Sequence, residues 1–234
     1  MAIPWVHLET GSVPGESVAL RLMQRGDEFS IVVGTAELMN NRERESERAL
    51  ATLACARLGD RPRARILIGG LGMGFTLRAA LEELGPEARV VVAELVPAVT
   101  AWARGPLAPL FAGCLEDPRV ELVETDVNRL IQSGPAQYDA ILLDVDNGPE
   151  GMMRRENDRL YDAWGLKRAR YALRLGGILG VWAGRPDRRF KARLRRFGFA
   201  VDEVRVRANG GTSGPRHVLW IATRGGEGPG PAQR

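Results

Sequence analysis

The chain has 234 residues, 44% hydrophobic and 26% charged, with a net charge of +4. That composition supports a core of single-domain size with a small addition, and excludes disordered, collagenous and disulfide-framework proteins. Two cysteines far apart, Cys55 and Cys114, give no metal or redox spacing and point to a reducing cytoplasm; no stretch nears 18 uninterrupted apolar residues, so neither a membrane span nor a signal segment is expected.

Residues 18 to 39 carry two apolar stretches around "QRGD", which is turn chemistry and predicts a β-hairpin. A helix follows over "RERESERALATLACARLG", where Ala49, Leu50, Leu53, Ala54 and Leu58 recur at helical spacing before Gly59. From residue 65 apolar runs alternate with helical segments: "RILIGG", "RVVVAEL", "RVELVETD", "YDAILLDVD", "GGILGVWA", "FAVDEVRV" and "HVLWIATR". The first five are separated by room for crossover helices, and their unbroken apolarity suits strands covered on both faces. The last two are joined by "RANGGTSGPR", too polar and glycine-rich for a helix, so they form a terminal antiparallel hairpin. The expected fold class is a doubly wound, Rossmann-like α/β fold. Its organisation is an N-terminal hairpin and helix over 1–60, a nucleoside-binding domain over 61–224 and a flexible tail over 225–234.

In such sheets ligands bind beyond the carboxyl ends of the strands, where the strand order reverses. The run "ILIGGLGMGFTL" supplies a strand, then Gly69, Gly70, Gly72 and Gly74, then a helix starting near Phe75. Glycines there let a ligand approach bare backbone. Strand two ends at Glu94, twenty residues after Gly74, where an acid accepts hydrogen bonds from both ribose hydroxyls of an adenosine ligand. Strand three ends at Asp126, suited to an adenine amino group, and strand four at Asp144 and Asp146. Acids at strand ends also serve as turn formers or helix caps; three strand tips following a glycine loop favour adenosine binding. Gly70, Gly72 and Gly74 alternate, so the third comes one residue too early for the G-x-G-x-x-G of a dinucleotide site, and a sulfonium nucleoside fits better.

These blocks, with "VAELVPAVTAWAR", "DPRVELVETDVNRLI", "YDAILLDVDNGP" and "RLYDAWGLKRARYALRLGGILGVW", resemble the spermidine synthase-like, or polyamine aminopropyltransferase-like, branch of the class I S-adenosylmethionine-dependent methyltransferase superfamily, from about Phe29 to Thr223. The resemblance implies a mostly parallel seven-stranded sheet and donor contacts from Gly69, Gly70, Gly72, Gly74, Glu94, Asp126, Val127 and Asp144. It also implies a homodimer, as is common among related synthases. Departures fall on the substrate side. The family's GGGDGG loop carries an aspartate for the donor's ammonium, and Gly72 stands there; its Tyr-His-Glu stretch aligns with Ser46, Glu47 and Arg48. In place of Asp-x-x-Asp-Pro the chain has Asp144, Val145, Asp146, Asn147, Gly148 and Pro149, so either Asp146 or Asn147 takes the second acidic place.

Transfer from a sulfonium is an in-line displacement, for which the protein aligns nucleophile, carbon and sulfur and excludes water. Asp144 or Asp146 is expected to receive the proton of an amine-like acceptor. Tyr161 either closes over the acceptor or caps the core, and Trp182 forms core or pocket wall. His7 and His217 are too isolated for a metal, and none is expected. Gly72 tilts the expectation toward intact S-adenosylmethionine and methyl transfer, while the resemblance tilts back toward aminopropyl transfer from the decarboxylated form; methyl transfer is slightly preferred. A non-catalytic nucleoside-binding relative is a further alternative. The arginines of "RPDRRFKARLRRFGF" are read as a solvated helix face rather than a nucleic-acid surface, because RNP-like aromatics do not accompany them.

Overall fold

A computed structural model describes residues 3–145 and 158–226. Four strands, β1 (Val6–Ser12), β2 (Ala19–Arg25), β3 (Glu28–Val33) and β4 (Ala36–Asn40), form an antiparallel meander where the sequence predicts one hairpin. The predicted turn at "QRGD" joins β2 to β3, with Arg25 opposite Glu28. Strand β1 escapes the apolar pattern because nearly all of it is exposed, and a register shift between His7 and Glu9 breaks its alternation. Helix α1 (Glu45–Leu58) follows as expected, burying Leu50, Ala51, Ala54 and Leu58.

All seven predicted runs pair into one sheet, in the order β10-β11-β9-β8-β5-β6-β7. Its members are β5 (Arg65–Gly69), β6 (Arg89–Glu94), β7 (Val120–Glu124), β8 (Tyr138–Leu143), β9 (Leu173–Ala183), β10 (Phe199–Arg207) and β11 (Arg216–Arg224). Strands β5 to β9 pair in parallel, and β10 and β11 form the expected antiparallel hairpin, inserted so that β11 lies against β9. The chain runs outward from β5 to β6 and β7, then returns to β8 on the other side of β5. The strand order therefore reverses between β5 and β8.

Successive strand residues face opposite sides of a sheet, and the core divides accordingly. Ile66, Ile68, Val90, Val92 and Leu142 face α1, α2 (Phe75–Glu83) and the N-terminal meander, whose Leu20, Leu22, Phe29 and Ile31 join the same cluster. Leu67, Val91, Ile141 and Leu143 face α5 (Val127–Ile131), α7 (Ala163–Ala172) and α8 (Arg188–Arg196). Short helices α3 (Pro97–Arg104), α4 (Ala108–Phe111) and α6 (Asp158–Tyr161) complete the crossovers. Helix α1 lies close on the sheet because β9 has Gly180 beneath it: a Cβ there would sit 3.1 Å from Leu50 and 2.9 Å from Leu142. That approach brings the first turn of α1 over the carboxyl ends of β8 and β9. No helix among the described residues is long and apolar enough to cross a membrane. The expected tail, from residue 227 on, lies outside the described residues.

Candidate active site

The cleft opens at the carboxyl ends of β5, β6, β7 and β8, on the reversal point, and encloses about 820 Å³ including its open mouth, within the range of small-molecule sites. Its floor is Gly70, Gly72, Glu94, Asp126, Val127 and Asp144; its roof is apolar, made by Val13, Leu20, Ile31, Leu38 and Met39 of the N-terminal meander. The roof was absent from the sequence reading, since nothing local in those strands says which face covers a ligand.

The four glycines divide by role. Gly70 has φ +92°, and a Cβ on it would lie 2.4 Å from the carbonyl oxygen of Asp144, so the loop lies directly on the end of β8. Gly74 has φ +81° and would drive a Cβ to 2.5 Å from the Phe111 ring, while a Cβ on Gly69 would crowd Val127 at 3.0 Å. Gly69 and Gly74 therefore serve packing and do not line the cleft. Gly72, at φ +50°, faces the cleft, and the nearest atom to its missing Cβ is the Met39 sulfur at 3.5 Å. Where the resemblance places an acid, this chain offers bare backbone beside a thioether.

Glu94, at the tip of β6, is 7% exposed and accepts the Leu71 N–H at 2.9 Å and the Val96 N–H at 2.8 Å. Burial pushes its pKa up and these main-chain donors pull against that rise. The Leu95 and Gly72 amides also act on this carboxylate, which lines the cleft. Asp126 caps α5: its Oδ1 accepts the Asn128 N–H at 2.8 Å and the Asn128 amide at 3.1 Å. It also lines the cleft.

Asp144, just past β8, accepts the Thr76 hydroxyl on Oδ2 at 2.6 Å. Burial raises its pKa from 3.8 to about 6, with the Thr76 bond opposing the rise. Glu47, on the first turn of α1, is raised well above the carboxylate range by burial and by the Asp144 charge. Two acids thus act on each other, Asp144 in the cleft lining and Glu47 outside it, with the Thr76 hydroxyl touching Asp144 and reaching the Glu47 carbonyl at 3.3 Å. Glu47 and Thr76 were missed as site residues; the signal available was only that Glu47 falls in the stretch where the resemblance loses its motif.

Beside this pair Ser46 is fully buried, accepting the Trp182 indole N–H at 3.0 Å and lying 2.8 Å from His217 Nδ1. Burial holds His217 below its usual pKa, and its ring meets Trp182 edge-on at 4.6 Å. Of the two expected places, core or pocket wall, Trp182 takes the core and does not line the cleft. Tyr161 is placed elsewhere: it is 2% exposed, packs edge-on against Phe190 at 5.6 Å and belongs to the core on the α7–α8 side, not to the cleft lining. His7 lies on exposed β1, bonded to Thr10. Asp146 and Asn147 lie outside the described residues.

No family model matches the chain. Among solved structures, spermidine synthase from Thermotoga maritima superposes with a TM-score of 0.72 over 94% of this chain and 73% of its own, at 18% identity. The fold is that of a spermidine synthase. A spermidine synthase in complex with the transition-state analogue AdoDATO gives a TM-score of 0.71 at the same identity, covering 94% of this chain and 72% of that one. In sequence, polyamine aminopropyltransferase of Mycobacterium tuberculosis is 31% identical over 172 residues, covering 70% of this chain and 32% of the relative. Polyamine aminopropyltransferase 2 of Pseudomonas aeruginosa is 32% identical over 126 residues, covering 52% and 34%. The chain thus spans about a third of the length of these curated relatives. None of them carries a name that favours methyl transfer, the slight preference drawn from Gly72.

Proposed function

We propose that this spermidine synthase-like chain is an aminopropyltransferase, moving the aminopropyl group of decarboxylated S-adenosylmethionine to an amine. The observation that carries the reading is the convergence in one cleft of a bare glycine loop, the main-chain-anchored Glu94, the strand-tip Asp126 and Asp144, all under an apolar roof, with Glu47 acting on Asp144 from outside the lining. The relatives' names support aminopropyl over methyl transfer.

The donor supplies an electrophilic carbon next to a sulfonium. Glu94 accepts from the ribose hydroxyls, held in place by the Leu71 and Val96 amides, and Asp126 accepts from the adenine amine while its other oxygen caps α5. Gly70 and Gly72 present backbone at the sulfur side, and Met39 with Leu38 closes over it and excludes water. An ammonium has no lone pair, so the acceptor must lose a proton before attack. Asp144, with pKa near 6, is ionised at neutral pH and takes that proton; Thr76 fixes the carboxylate by donating to its other face. Glu47, which burial and the Asp144 charge hold toward its protonated form, adds a polar group beside Asp144 rather than a second full charge. A cationic donor tail or acceptor entering beside Asp144 favours the ionised form of these acids.

Incubation with putrescine and either donor, followed by mass spectrometry, tests the reading. Methylthioadenosine and an aminopropylated amine from the decarboxylated donor are expected. Adenosylhomocysteine and a methylated amine from the intact donor, with nothing from the decarboxylated one, would overturn it.

A further inference from the structure

The arginine-rich segment set aside as a solvated face acquires, in three dimensions, the aromatic partners that it lacks in sequence. Helix α8 buries Phe190 and Leu194 and turns Arg188, Arg189, Arg195 and Arg196 outward. A groove lined by Lys167 of α7 and by Arg189, Arg193, Arg196 and Phe197 joins the two helices. On α7, Trp164, Lys167, Arg168 and Tyr171 are exposed and spaced i, i+3, i+4 and i+7, which is one helix face. Trp164 is 68% and Tyr171 60% exposed, far beyond what buried-core aromatics show, and the Lys167 ammonium lies 5.1 Å from the Trp164 ring.

Several basic residues elsewhere are paired: Arg61 and Arg174 with Asp139, Arg119 with Asp117, Arg57 with Asp202. On the far flank of α8, Glu203 meets Lys191 and Arg205. On the groove flank, by contrast, Lys167, Arg168, Arg189 and Arg196 have no carboxylate within 4.0 Å among the described residues. Unneutralised cations along a groove, flanked by exposed aromatic rings, match the two demands of a single nucleic-acid strand: a track for phosphates and platforms for bases.

We propose that the α7–α8 surface binds single-stranded nucleic acid. A second copy of the chain would bring like charges together on this face, and an anionic membrane would call for apolar side chains on α8, whose Phe190 and Leu194 point inward. The groove is separate from the substrate cleft, sharing none of its lining residues.

Fluorescence anisotropy of the full chain with a labelled oligothymidylate of about 20 nucleotides, across a salt series, tests this. Binding should weaken linearly in log–log form, each phosphate contact contributing about 0.7 to the slope. The triple variant Lys167→Gln, Arg189→Gln, Arg196→Gln should flatten the slope by about 2. Trp164→Ala with Tyr171→Ala should weaken binding at least about tenfold and leave the slope unchanged. Glu94→Ala should bind the oligonucleotide as the wild type does, and circular dichroism should show every variant folded. The proposal is overturned by no binding at low salt, by equal displacement with a duplex competitor, or by indifference to both surface variants. It is equally overturned if phosphatidylglycerol vesicles bind while the oligonucleotide does not, or if the aromatic double variant only converts a dimer to a monomer.

Discussion

Replacing Asp144 by asparagine should make the protein more stable and less active at once. Burial raises this carboxyl from 3.8 to about 6, so its ionised form is disfavoured in the folded chain at neutral pH by up to about 3 kcal/mol. The folded state holds a proton between those two pH values that the unfolded state has released. Wild-type stability therefore falls as pH rises through that window, and the whole cost is present above it. Asparagine removes the charge, keeps an oxygen to accept from Thr76 and ends the repulsion with Glu47. We expect Asp144→Asn to gain about 1–3 kcal/mol at pH 7.5, roughly 2–10 °C in Tm for a chain of this size. The gain should fade as pH drops to about 4, where the wild-type carboxyl is itself protonated. Urea and thermal unfolding at both pH values measure this. A variant no more stable at pH 7.5, or one whose gain persists unchanged in acid, would refute the burial argument. In turnover, the same variant should lose kcat far more than affinity for methylthioadenosine; equal losses would contradict an acceptor-side role.

Wild-type kcat/KM should rise with pH through about 6 as Asp144 loses its proton, and that limb should vanish in Asp144→Asn; a pH profile checks both. Gly74→Ala, forced to φ +81° with its Cβ against Phe111, should destabilise by more than about 2 kcal/mol in a denaturant titration. Gly72→Ala faces the cleft and meets only Met39, so it should cost about 1–2 kcal/mol of backbone strain yet weaken donor binding in calorimetry. Ser46→Ala should lower stability by about 1–3 kcal/mol, since it strands the buried Trp182 N–H, whereas Ser46→Thr, retaining the hydroxyl, should recover part of that loss.

The seven-stranded sheet was legible because each strand is a continuous apolar run bounded by turn chemistry, and because crossover lengths dictate parallel pairing. The glycine loop and the acids at strand tips were legible for the same reason: in a parallel sheet, the residue that ends a run is the residue at the mouth. Strand β1 was not, because a strand exposed on both faces has no apolar period to reveal it. Glu47 and the roof residues Leu20, Ile31 and Met39 were not, because their place over the cleft depends on how the meander and α1 close on the sheet, through contacts such as Gly180 beneath Leu50. Tyr161 shows the converse: position after strand four suggests a lid, but its ring finds Phe190 and the core. The aromatics of the basic surface stand on a different helix from the arginines, about 25 residues upstream, so no local window could pair them.

The account rests on one cleft holding an adenosine through Glu94. Isothermal titration of the wild type and of Glu94→Ala with methylthioadenosine, the nucleoside common to both donors' chemistry, measures this directly. One-to-one binding that the variant weakens at least about tenfold is the predicted result. No heat with the wild type, or the same affinity without the carboxylate, would contradict it.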